Sequence, residues 1–195
     1  MAELTLPVDE PQIRHLRVGT NLELSGRMIT GRDAAHKWLL EEYREEVAPY
    51  LKGTAIYHCG PVVREQPDGS WEFVAAGPTT SIREEPYQAN VIERYGLRGV
   101  IGKGGMGKGT LRGLGKSGAL YMHAVGGAAQ VLARAVKKVE RVFMLEEFGV
   151  PEAMWVIQVE RFPVMVTMDS HGSSLHEDVE SRSREVFDRL LAVGS

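Results

Sequence analysis

Ten of the 22 glycines in this 195-residue chain fall between positions 96 and 118. Glycine loses more backbone freedom on folding than any other residue, at about 0.5–1 kcal/mol relative to alanine inside a helix or strand. Such a density argues against a stable helix or an ordinary strand, so the segment is predicted to be a shaped loop. Within it, Gly102, Gly104 and Gly107 have the spacing of a dinucleotide loop, and Gly102 to Lys108 matches the first seven positions of a phosphate-binding loop. Both matches are weak. Gly109 stands where a phosphate loop needs Ser or Thr for magnesium, and Gly113, Gly115 and Gly118 follow where a dinucleotide fold needs a firm helix. The better reading is that the glycines let backbone and Lys103 approach a small ligand closely.

The rest of the chain alternates between the two hydrophobic periods. Ala35, Trp38, Leu39, Tyr43 and Val47 predict a helix over 34–48 behind an Asp33 N-cap. Strand-like runs follow at 55–59 and 71–76. Ser81 and Glu84 have capping-box spacing ahead of a helix carrying Tyr87, Val91 and Tyr95, which Gly96 can stop. Strands are expected at 98–101 and 119–125, then a helix from Ala128 through Val139. Two further β runs, 154–160 and 164–168, precede a final helix near 182–192 anchored by Val186, Phe187, Leu190 and Leu191. This order predicts a single mixed α/β domain over 1–195.

Composition narrows the function. With 23 basic and 26 acidic residues, net charge −3, nothing draws the chain generally to nucleic acid or an anionic membrane. No segment has the apolar length of a membrane span, and the N-terminus lacks a secretion signal. Cys59 is the single cysteine, so neither an internal disulfide nor a multi-thiolate site can be completed in one chain, and a cytoplasmic setting is expected. It ends an apolar run before Gly60-Pro61, as a buried inert thiol does. The six histidines show no metal-ligand spacing.

Three clusters carry the ligand chemistry. Thr79, Thr80 and Ser81 lie between a strand and a helix start, where unpaired N–H groups favour an anion, and Arg83 adds a charged fork. Arg32 precedes the next helix start, and Lys103 sits among Gly102, Gly104 and Gly105. Together they point to a small anionic ligand such as a dicarboxylate or a phosphate.

The strings SGRMITGRDAAHK (25–37), YHCGP (57–61), GPTTSIR (77–83), GVIGKGGMG (99–107), AVGGAA (124–129) and FGVPEAMWVIQVERFPVMVTMD (148–169) resemble the beta subunit, or C-terminal domain, of class I iron-sulfur fumarate hydratases and L(+)-tartrate dehydratases. The resemblance implies a swivelling β/β/α domain, a central mixed sheet or partial barrel with flanking helices. It also implies reversible dehydration of a four-carbon 2-hydroxy dicarboxylate on a 4Fe-4S cluster, ligated by an alpha subunit and not by this chain. By position, Thr79 is then the proton-transfer residue and Lys103 its neighbour. Arg32 and Arg83 bind the substrate carboxylates, and Thr80, Ser81, Gly104 and Gly105 complete the wall. The expected assembly is an alpha2beta2 heterotetramer. Fumarate–malate ranks ahead of tartrate on AVGGAA, while Asp169-Ser170-His171-Gly172 is similar to the tartrate type; a non-catalytic dicarboxylate-binding subunit is a third reading. Glu84-Glu85-Pro86 departs from the Met-Asp-Pro of many relatives, so the support behind the loop differs here.

Overall fold

The structure, a computed structural model, describes residues 2–193. The chain opens with β1 (Ala2–Leu6), α1 (Glu10–Arg14) and β2 (Asn21–Thr30), followed by α2 (Asp33–Glu41), α3 (Ala48–Leu51) and β3 (Ala55–Tyr57). A hairpin of β4 (Val62–Glu65) and β5 (Trp71–Ala75) leads into a single 3-10 turn at Ser81–Glu84 and then α4 (Glu85–Tyr95). Next come β6 (Gly99–Gly102), α5 (Lys108–Ser117), β7 (Leu120–His123), α6 (Ala129–Ala135) and β8 (Val136–Phe143). The chain finishes with α7 (Leu145–Phe148), β9 (Met154–Met168) and α8 (Leu175–Val193).

Strands β2, β3, β6 and β7 run parallel in that order. β9 is antiparallel and pairs with both β7 and β2, closing five strands into a barrel-like sheet, to which β1 and β8 add at the edges. Closure pairs each of these five strands on both sides, and β1 and β8 carry the remaining edges. Side chains alternate across this wall. Leu24, Met28, Tyr57, Ile101, Met122, Trp155 and Phe162 belong to one core, with the hairpin residue Phe73 and with Leu132 of α6. Ile29, Ile56, Val100, Tyr121 and Val156 face the other way and pack under α2, α3, α4 and α5. The predicted α/β architecture, a partial barrel with flanking helices, is therefore the one observed.

Several local expectations are corrected. The glycine-dense segment is not one loop: β6 runs through Gly99 and Gly102, and α5 contains Gly109, Gly113 and Gly115. Tertiary packing overrides propensity here. A Cβ on Gly113 would stand 2.9 Å from the Ala89 Cβ, so glycine lets α5 lie against α4. The helix expected over 34–48 stops at Glu41. Arg94 Nη1 donates to the carbonyls of Leu39 and Leu40 and the Tyr95 hydroxyl to that of Leu39, so α4 satisfies the helix end. The helix expected through Val139 ends at Ala135, because Val136, Val139 and Val142 join the ladder of β8 against β9. The two β runs after 154 are one 15-residue strand, in which Arg161 takes φ +52° opposite an irregularity in β2. α8 starts earlier than expected, and Val186, Phe187, Leu190 and Leu191 are 47–69% exposed where burial was expected. Its first turn is tied down by the Met168–Ser174 bridge and by a 3.0 Å His176–Thr167 hydrogen bond.

Candidate functional site

The parallel strands β2, β3, β6 and β7 deliver their C-terminal ends to one side of the sheet, where such folds collect ligands. Arg32 follows β2, His58 to Gly60 follow β3, Lys103 to Gly105 follow β6, and Ala124 to Ala129 follow β7. The hairpin returns the 77–83 loop to the same end.

Backbone bonds zip these loops together. Thr79 N–H donates to the His58 carbonyl at 2.8 Å, Lys103 N–H to Thr79 at 3.2 Å, and Ser81 N–H to Lys103 at 3.0 Å. Thr80 and Lys103 thereby form a parallel bridge. Ala124 N–H donates to Gly102 and Ala76 N–H to Ala129, which lays the AVGGAA segment along both loops. Gly104 and Gly105 have φ of +82° and +79°, a left-handed turn that side chains rarely adopt. Gly105 also has no room for a Cβ, which would lie 2.6 Å from the His176 ring.

The expected site residues divide by environment. The Thr79 hydroxyl oxygen is buried without a hydrogen-bond partner, although buried polar atoms are nearly always paired. An orphan hydroxyl on a loop pinned to Lys103 is what a site needing a free proton acceptor presents. Thr80, Arg83 and Gly104 are exposed, and Lys103 is half-buried. Arg32 lies over Gly60, where a Cβ would meet its Nη1 at 2.6 Å; it pairs with Glu152 at 3.2 Å, and its Nε is buried without a partner. Glu152 also accepts from the Ala34 N–H at the start of α2. The predicted Asp33 cap and Ser81 cap are both corrected, since neither helix start carries a side-chain cap. Ser81 is instead buried, 2.8 Å from His58 Nδ1 and 3.0 Å from the Tyr121 hydroxyl.

Sequence reasoning missed two supports. Glu85 accepts from Gly107 N–H (2.7 Å), Thr110 N–H (3.1 Å) and the Thr110 hydroxyl (2.7 Å), so it caps α5 and clamps the far end of the glycine loop. Its position one residue before Pro86 at the start of α4 was the available signal. Glu84 is buried with neither oxygen hydrogen-bonded. Burial, and after it the neighbouring Asp33 carboxyl, pushes it up to about 8, so it is neutral near pH 7. Cys59 is buried, and loss of solvation pushes its thiol to about 12, as the inert reading expects. Among the described residues no three His, Cys, Asp or Glu side chains are grouped to hold a metal ion.

Comparison with known proteins gives the family. The Fumarase C-terminus model matches residues 2–179. A protein of Geobacillus stearothermophilus, provisionally named class I fumarate hydratase, is 52% identical over 93% of this chain, which spans 35% of that relative's length. The L(+)-tartrate dehydratase subunit beta of Escherichia coli K12 is 41% identical over 88% of this chain and 85% of its own. A protein of Methanocaldococcus jannaschii with the provisional name L(+)-tartrate dehydratase subunit beta is 38% identical over 93% and 94%.

Proposed function

The chain belongs to the Fumarase C-terminus family, and on that premise we propose that it is the beta-type half of a hydro-lyase that interconverts fumarate and malate. The observation that carries this reading is the orphan Thr79 hydroxyl on a loop paired backbone to backbone with Lys103. Removal of the proton from the carbon beside a departing hydroxyl needs a base. A threonine hydroxyl serves only if a cation stabilises its alkoxide. Lys103 supplies that cation from the adjoining strand end. Arg32 and Arg83 flank the loops and hold the two substrate carboxylates; Glu152 presets the Arg32 fork before substrate arrives. Thr80, Ser81, Gly104 and Gly105 form the wall between them.

The other half of the site belongs to an alpha-type partner, with alpha2beta2 as the proposed assembly and the cytoplasm as its setting. No helix among the described residues is long and apolar enough to cross a membrane. A 4Fe-4S cluster held by that partner would supply a Lewis acid for the substrate hydroxyl. The donors here fit that division, since a single buried thiol near pKa 12 cannot ligate a cluster alone. The relatives named as tartrate dehydratase beta subunits, aligned over most of their length, favour L(+)-tartrate as the second substrate reading. Thr79→Ala and Lys103→Ala, each assembled with the partner, are expected to lose about 10²–10⁴-fold in kcat with folding intact. Full turnover in both removes these residues from the mechanism.

A further inference from the structure

Beneath the site lies a row of buried polar groups of which the reaction as proposed uses Ser81 alone, as part of the wall. His36, His58, Gln88, Ser81 and Tyr121 are all fully buried. His36 Nδ1 is 2.8 Å from the Arg32 carbonyl, and a carbonyl only accepts, so Nδ1 carries a proton. Burial lowers the pKa of both rings, and His58 is lowered further by His36, so both are neutral. His36 Nε2 is therefore bare and has to accept. Its neighbour there is the Gln88 amide end, 2.9 Å away, and the same end stands 2.8 Å from His58 Nε2. With the amide oxygen at that end, His36 would have to be a buried imidazolium and the Gln88 NH2 would be stranded without an acceptor. A half turn of the amide lets both rings stay neutral, because an NH2 has two protons and two bare Nε2 atoms await them; the amide oxygen then takes the unpaired position, which costs less than a buried imidazolium.

We infer that Gln88 presents its NH2 to both rings, and that it is a positioning residue fixing the order of one hydrogen-bond chain beneath three ligand loops. The chain reads outward from Gln88 in two arms. On one side the amide donates to His36 Nε2, and His36 Nδ1–H donates to the Arg32 carbonyl. On the other the amide donates to His58 Nε2, and His58 Nδ1–H donates to Ser81 Oγ. Ser81 also accepts from the Tyr121 hydroxyl at 3.0 Å. Each link has one donor and one acceptor. The backbone at Arg32, the strand end at His58 and the 79–83 loop are thereby held in one register. The catalytic meaning of that register rests on the proposed function; the proton order does not.

The test is nitrogen NMR of the full chain carrying ¹⁵N-histidine. His36 and His58 are expected to show protonated Nδ1 and bare Nε2 at about pH 7 and above. An Nε2–H on either ring, or a doubly protonated His36, overturns the assignment. Gln88→Glu in its ionised form places an accept-only group at the junction, which puts Nε2–H on both rings and makes His36 an imidazolium. The Ser81 amide resonance, at the far end of the His58 arm, is then expected to move; if it stays, the 79–83 loop is not coupled through Gln88. In the assembled enzyme the same variant is expected to lower kcat at least tenfold with KM changed less than threefold. Unchanged kcat overturns the positioning role even where the tautomers are as expected. If no assembly turns over either substrate, the proposed function fails while the NMR result still decides the chain.

Discussion

Gly102→Ala is expected to be far more damaging than a single added methyl group suggests. The new Cβ would lie 1.9 Å from Ser81 Oγ, 3.2 Å from His58 Nδ1 and 3.3 Å from Ser81 Cβ. The Ser81 hydroxyl cannot step aside without giving up both His58 and Tyr121, which are buried with it. Overpacking of this kind costs about 1–3 kcal/mol, and a stranded buried polar group costs about 1–3 kcal/mol. The sum, about 2–6 kcal/mol, is a large part of the roughly 5–15 kcal/mol that holds a domain folded. Ser81→Ala alone strands the same two donors, for about 1–3 kcal/mol, but it also deletes the clashing atom. The double variant should therefore cost little more than Ser81→Ala. Urea unfolding of the four proteins would show a coupling close to the whole cost of Gly102→Ala, about 2–6 kcal/mol, read as a shift in midpoint at constant m. Additivity within about 0.5 kcal/mol would refute the idea that Ser81 is held by both partners at this point.

Other perturbations follow from the same geometry. Glu84 is neutral in the fold because burial raises it from the usual carboxylate range to about 8. The folded chain then holds a proton that the unfolded chain loses, and stability should fall by up to about 1.4 kcal/mol per pH unit as pH rises from 4.5 to 8. Thermal unfolding across that range should show Glu84→Gln abolishing the decline. Glu85→Ala removes three bonds to residues 107–110. It should cost about 2–3 kcal/mol and speed hydrogen exchange in the glycine loop, and unchanged exchange would count against the clamp. Phe187→Ser, on a residue 59% exposed, should leave the unfolding midpoint within about 0.5 kcal/mol of the parent in this chain alone.

The candidate site was more legible in the sequence than the framework under it. Arginine, hydroxyl and glycine clusters stood out because a loop that is to bind an anion would need those residue types locally, whatever surrounds them. Their convergence was not legible: the Thr80–Lys103 bridge joins residues 23 positions apart in sequence through strands whose pairing is nonlocal. Gly113 shows the limit most plainly. Its propensity argues against helix, yet the Ala89 backbone beside it admits only a glycine, and packing decides. Ser81 misled in the opposite direction, since capping-box spacing with Glu84 is a local pattern, whereas both side chains turned inward to His58, Tyr121 and Asp33. Likewise Val136 fits the helical period of the residues before it, but β9 offers it a ladder that no local rule could supply.

The central claim is that this chain completes a dicarboxylate hydro-lyase, and its most direct test is turnover. The chain would be produced anaerobically with its alpha-type partner, the cluster reconstituted, and malate and L(+)-tartrate offered separately while products are identified. The account predicts fumarate from malate, and oxaloacetate from tartrate would select the second substrate reading. An intact, cluster-loaded complex that consumes neither would contradict it.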